Sequence, residues 1–83
     1  MIGSGAKIVT TFPTHAASVT PSDTVDFTYP GVVRVGGTGN VSYVLQDGTA
    51  ITMNALQVGE YIPNVVRRVN ATGTTATNLT VHW

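Results

Sequence analysis

Fourteen threonines and thirteen valines stand in this chain of 83 residues, and no other feature narrows its possible folds as far. Both side chains branch at Cβ, hold χ1 stiffly and pack well on a pleated surface. Strong helix formers are scarce: Glu and Lys occur once each, and Leu three times. The composition predicts an all-β chain. Short apolar runs alternate with turn residues at the spacing of a small antiparallel β-sandwich or barrel, jelly-roll-like in outline, of six to seven short strands.

Residues 1–18 carry mostly Gly, Ser, Ala and Thr and read as an extended N-terminal arm; residues 19–83 read as a single β domain. Within the arm, Phe12 is the candidate anchor on a neighbouring subunit. In the domain, Pro21-Ser22-Asp23 is turn chemistry with Asp23 as the cap, and Thr24–Thr28 is expected to be a strand. "VVRV" follows as a strand, and "GGTGN" is read as a hairpin loop. Asp47-Gly48 then suits a two-residue type I′ turn. That turn would pair Val44 with Ile51, Ser42 with Met53, Tyr43 with Thr52 and Leu45 with Ala50. The register puts large apolar groups on both faces of the hairpin, where one wet face should give clean alternation. Beyond it, "ALQVGEYIP" bends at Gly59, and "NVVRRV" and "LTVHW" supply the last strands.

A core this size is thin, since small domains hide a smaller share of their surface than large ones. Such domains lean on disulfides, a metal or oligomerisation. Cysteine is absent, which removes disulfides, thiolate sites and thiol nucleophiles. His15 and His82 stand far apart in sequence, and no cluster offers three ligands, so neither metal nor cofactor is expected. Oligomerisation, or attachment to something larger, remains.

Charge leads to the same place. Eight charged residues balance to zero, and 10% is far below the roughly 25% of an ordinary soluble domain. A surface so poor in charge is built to be covered. No basic patch serves nucleic acid, and no apolar run reaches the ~18 residues that span a membrane. The first residues lack a secretory apolar core, so the chain is expected to be made and kept in a cytoplasm until assembled. "GGTGN" lacks the Lys-Ser/Thr ending of a phosphate loop. No Ser–His–acid set or paired carboxylates across a cleft can be assembled from these residues, and no enzyme is expected.

Two features remain. Arg67 and Arg68 are adjacent on an expected strand, so their side chains should leave on opposite faces. One reading pairs one of them with Asp23, Asp26 or Glu60 inside the subunit. The other sends one across a subunit boundary, where a guanidinium fork grips carboxylates. Trp83, the only tryptophan, either fills the edge of the core or anchors an interface.

Three segments carry a resemblance: "VTPSDTVDF", "VRVGGTGNVSYVLQDGTAIT" and "IPNVVRRVNATGTTATNLTVHW". In that order, from about His15 to the end, they resemble the small head-spike base proteins of tailed bacteriophages and gene transfer agents. The arm before His15 and Asn40, where an acidic residue is more usual, depart from that pattern. The resemblance implies a non-enzymatic virion structural protein on the capsid surface. Its implied partners are itself, as a trimer or pentamer, the major capsid protein and a spike or fibre protein. "ATGTTAT" would then pack on a neighbouring subunit, with Phe12, Arg67, Arg68 and Trp83 at the interface. Rival expectations are a capsid cement protein, a tail or baseplate component and, in a different class, a carbohydrate-binding module.

Overall fold

The computed structural model describes residues 13–83, so Phe12 and the rest of the arm before Pro13 lie outside the described residues. Six strands form two three-stranded antiparallel sheets: β1 (Ala16–Ser18), β2 (Val32–Arg34), β3 (Gly39–Leu45), β4 (Ala50–Leu56), β5 (Val66–Val69) and β6 (Thr80–His82). The first sheet runs β1-β6-β2 and the second β4-β3-β5. Their facing sides meet in one core of Val33, Val35, Leu79 and Val81 against Val41, Tyr43, Val66 and Val69, with Leu56, Ile62 and Ala76 closing it. The all-β sandwich is as the composition predicts. The last three residues of the stretch read as an arm, Ala16–Ser18, are a strand paired with β6.

The hairpin differs from its expected register by one residue. Val41 stands opposite Met53, Ser42 opposite Thr52, Tyr43 opposite Ile51 and Val44 opposite Ala50. The loop therefore has three residues, Gln46-Asp47-Gly48: Gly48 donates to the Leu45 carbonyl (3.0 Å), and Leu45 donates to Thr49 (2.8 Å). Only Gly48 of the three has positive φ (+91°), the pattern of a type I turn closed by a glycine bulge. The Asp47 carboxylate accepts from Thr49 N at 2.9 Å and pins the turn. A one-residue slip turns every side chain over. Here it gathers Val41, Tyr43, Ile51 and Met53 on one face and Ser42, Thr52 and Asn54 on the other, where Val44 is the one large buried apolar group. Replacing Gly48 by Val is expected to cost about 1 kcal/mol, purely from the disfavoured backbone, because an added Cβ meets nothing within 4 Å. An unchanged urea midpoint would show that this turn does not hold Gly48 at positive φ.

Three other expectations are corrected. "GGTGN" is no hairpin loop, because β2 pairs with β6 and the chain crosses to the second sheet before β3. Its glycines lie under the 75–78 backbone: a Cβ on Gly36 would sit 2.3 Å from the Asn78 carbonyl oxygen. Thr24–Thr28 is not a strand; the segment runs beside β5 with only two backbone bonds, Ser22 N to Val69 O and Phe27 N to Arg67 O, both 2.9 Å. Ser22, not Asp23, caps the turn, its hydroxyl accepting from Thr24 N and Val25 N. Asp23 reaches across the molecule instead, to Thr72 N (2.9 Å) and the Thr72 hydroxyl (2.7 Å). Those two donors hold the exposed Asp23 carboxyl below its usual range.

Candidate assembly surface

β5 is where local sequence and site meet. Val69 pairs with Tyr43 and Arg68 with Val44, but Leu45 pairs with Val66, so one extra residue is bulged into the strand around Arg67. A bulge sets two residues against one and re-aims a side chain. It turns both Val66 and Val69 into the core, at 0% and 1% exposure. It also breaks the alternation expected of the arginines. Both now reach Asp26: Arg68 Nη1 lies 3.1 Å from Oδ1, and Arg67 Nε lies 3.4 Å from Oδ2. Arg68 Nε also donates to Asn70 Oδ1 at 3.1 Å. Arg67 Nε is buried and makes a charge contact with no hydrogen-bond geometry. The pair to one carboxylate inside the chain is the internal reading of these residues; half-exposed ion pairs of this kind contribute little, on the order of 1 kcal/mol or less.

Trp83 stacks with two other rings, His15 at 5.6 Å and 10° and Tyr29 at 5.3 Å and 21°. The backbone explains the placement. Trp83 O accepts from Thr14 N (2.8 Å) and His15 N (2.7 Å), and Trp83 N donates to His15 O (2.9 Å), which extends the β1–β6 ladder past its last paired strand residue. Trp83 thus fastens the first described residues to the last strand while half-buried against the core. Replacing Trp83 by Ala removes two stacks at about 0.5–1.5 kcal/mol each beyond area burial. We expect a loss of about 2 kcal/mol, with faster hydrogen exchange confined to residues 13–18. A melt equal to the parent's would mean that the stack does not form in solution.

A second aromatic group was not legible in advance. Tyr61 packs at a tilt on His82, ring centroids 6.1 Å apart, over an apolar groove shared with Val32 and Pro13. Tyr61 is 55% exposed and Tyr29 58%. The alternation in "TVHW" could have signalled it, since His82 must face away from Val81 and Trp83.

The threonine-rich stretch docks on its own subunit. Thr75 N and Ala76 N donate to the Asn40 carbonyl (2.8 and 3.1 Å), the Thr75 hydroxyl accepts from Asn40 N, and the Thr74 hydroxyl accepts from Ser42 N. Short hydroxyls at these positions replace a strand partner along one side of β3.

The free surface lies at the sheet edges. Among the described residues no strand pairs with the outer side of β4 or of β1. β1 is short and exposed throughout. β4 spans seven residues, without charge or proline, and is exposed at Ala50, Ile51, Thr52, Asn54 and Ala55. Because Leu45 bonds to Thr49, antiparallel alternation turns the N–H and C=O of Ala50, Thr52 and Asn54 outward. Only one device interrupts this edge: a register shift near its end, where Ala55 takes positive φ (57°) and donates to Asn40 Oδ1. Among the described residues no group of three His, Asp or Glu could hold a metal, and no helix is long and apolar enough to cross a membrane.

No family model and no curated protein matches the chain. Among solved structures, a chain from the capsid of a native gene transfer agent particle, computed with C5 symmetry, is 30% identical to it with a TM-score of 0.76. The likeness covers 86% of this chain and 83% of that one. This chain belongs to that chain's family of phage and gene-transfer-agent virion proteins. For a virion protein, the charge deficit and the long uncharged edge are ordinary consequences of a surface that meets other subunits. A TM-score of 0.76 over that share means that the two chains have the same fold.

Proposed function

We propose that this chain is a structural protein of the capsid surface, an oligomeric base to which a spike or fibre attaches. One observation carries the reading: the 30% identity, over most of both chains, to a protein of a gene transfer agent capsid. The head-spike base resemblance of "VTPSDT", of the glycine loop and of Pro63–Ala76 narrows the role within that setting. Three physical features agree with it. The core is a single thin layer of side chains, the surface carries eight charges in 83 residues, and β4 offers an uncovered edge. A trimer or a pentamer accommodates all three.

The test is averaged electron microscopy of whole particles, with and without this protein, together with its copy number against the major capsid protein. A base gives density at discrete capsid sites, is a small minority of the shell's subunits, and takes the spikes with it when removed. Density over the whole shell at near-equal copy number would make it a cement protein. Co-purification with isolated tails would make it a tail component.

A further inference from the structure

We propose that Asp47 is the chain's site of spontaneous isoaspartate formation, and that the turn between β3 and β4 keeps this reaction shut for as long as the hairpin stays paired. Asp47-Gly48 is the only Asp-Gly pair in the chain, and no Asn precedes a glycine. Glycine matters here because any other side chain would crowd the attacking backbone nitrogen. In the reaction the Gly48 nitrogen attacks Asp47 Cγ, a C–N bond forms, and one carboxyl oxygen leaves as water. The product is a five-membered succinimide. Water then opens the ring at either carbonyl. One opening restores aspartate, and the other leaves the main chain running through Cγ, longer by one methylene.

Packing does not protect the site. Asp47, Gly48 and Thr49 are all exposed, and a Cβ on Gly48 would meet nothing within 4 Å. Hydrogen bonds hold both reacting groups instead. Gly48 N, the nucleophile, donates its proton to the Leu45 carbonyl at 3.0 Å, and it must shed that proton to attack. The electrophile is held from the other side. Asp47 Oδ1 accepts from Thr49 N at 2.9 Å, which ties the carboxylate to the residue beyond the attacking nitrogen. That same Thr49 N–H, together with the Thr49 hydroxyl, keeps the Asp47 carboxyl below its usual range. An ionised carboxylate is a poor target for a nucleophile, because its oxygen has to leave as water.

The consequence falls on the register. Gly48 N to Leu45 O and Leu45 N to Thr49 O close the three-residue loop, and an added methylene between residues 47 and 48 lengthens the path they span. The pairing of Tyr43 with Ile51 and of Val41 with Met53 depends on that loop length. The folded hairpin thus guards the residue pair that sets its own register, and conversion is coupled to its opening. A subunit of a finished virion is not replaced, so a turn that excludes this reaction prolongs the life of the particle.

The test keeps the full chain in warm, mildly acid buffer and, in parallel, in guanidinium chloride. Isoaspartate is located by electron-transfer fragmentation and by resistance to a protease that cuts before aspartate. In denaturant it should accumulate at Asp47 ahead of Asp23 and Asp26. In native buffer it should accumulate there slower by about tenfold or more, since the hairpin must first open. Hydrogen exchange of the Gly48 amide is the second measurement, because both processes need the same N–H released, and a comparable protection is expected. Asp47→Asn keeps the acceptor oxygen and loses ammonia through the same ring, a gain of about one mass unit. Its native rate should be suppressed beside its denatured rate as the parent's is. Equal rates in native and denatured protein would overturn the proposal. So would an unprotected Gly48 amide in the native state, or accumulation at Asp23 or Asp26 in place of Asp47.

Discussion

Replacing Gly31 by Ala is expected to destabilise the protein by about 3 kcal/mol, the upper part of the range for overpacking. The new Cβ would lie 2.1 Å from the His82 carbonyl oxygen, 2.8 Å from its carbon and 3.1 Å from Val81 Cγ2. Two of those three atoms are backbone, so no rotamer change relieves the clash; β6 must move away. Gly31 also exchanges two hydrogen bonds with Val66, at 3.2 and 2.8 Å, and so ties the first sheet to β5. Relief toward one side therefore strains the other. A domain of this size has roughly 4–12 kcal/mol in total, and such a loss is a large part of it. Gly37→Ala is the control. Its Cβ would approach Thr77 Oγ1 at 2.0 Å, a side-chain atom that can rotate away, and a smaller loss is expected. The measurement is a urea midpoint for each variant beside the parent. Equal midpoints for Gly31→Ala and the parent would show that β2 and β6 do not approach so closely in solution.

Gly31 also marks where sequence reasoning stops. Thr and Val content and the spacing of turns made the all-β class and the strand number legible, because those depend on local preference. What a glycine is for does not. Gly48 serves a positive φ, whereas Gly31 and Gly36 serve a close backbone approach, and the residue type is the same in both. The glycine cluster therefore read as a loop, and β2 acquired the wrong partner. Pairing between β2 and β6 joins residues some fifty apart and has no local signature. The hairpin register was within reach. Both a two-residue and a three-residue loop fit "QDG", but only the latter sets Ile51 and Met53 on the face of Val41 and Tyr43.

The interface candidates divide in the same way. Arg67 and Arg68 were assigned opposite faces by simple alternation, and the bulge in β5 brings both to Asp26. A bulge leaves only a faint trace in sequence, here two inward valines spaced three apart, Val66 and Val69. Trp83 stacks within the chain on His15 and Tyr29, partners supplied by the residue before β1 and by the segment before β2. The β4 edge was missed because exposure of a strand's side depends on where the sheet ends, which the order of pairing decides and residue type does not.

Tyr43 should separate loss of folding from loss of assembly. Its ring is 1% exposed at the centre of β3, with Val69 and Ile51 on its flanks in the ladder. Tyr43→Ala leaves a cavity between the sheets, and large-to-small aromatic changes of this kind cost about 3–5 kcal/mol. That is enough to unfold much of the population of so small a domain, so the circular dichroism and self-association of Tyr43→Ala should fail together. Thr52→Pro removes only an outward N–H of the β4 edge and should keep the fold of the parent. Tyr43→Phe keeps the ring and removes the hydroxyl, and should fold and assemble as the parent does near neutral pH. The two should part in alkali. Burial pushes the Tyr43 phenol above its ordinary value of 10.0, because the charged form loses hydration inside the sandwich. An acid whose folded pKa is raised holds its proton longer in the native state than in the unfolded one. Stability then falls as pH rises past the unfolded pKa of about 10 and goes on falling until the folded pKa is reached. Thermal melts of the parent from pH 8 to 11 should show that decline, and Tyr43→Phe should show less of it. Parallel declines in the two proteins would mean that the Tyr43 hydroxyl is hydrated in the native state.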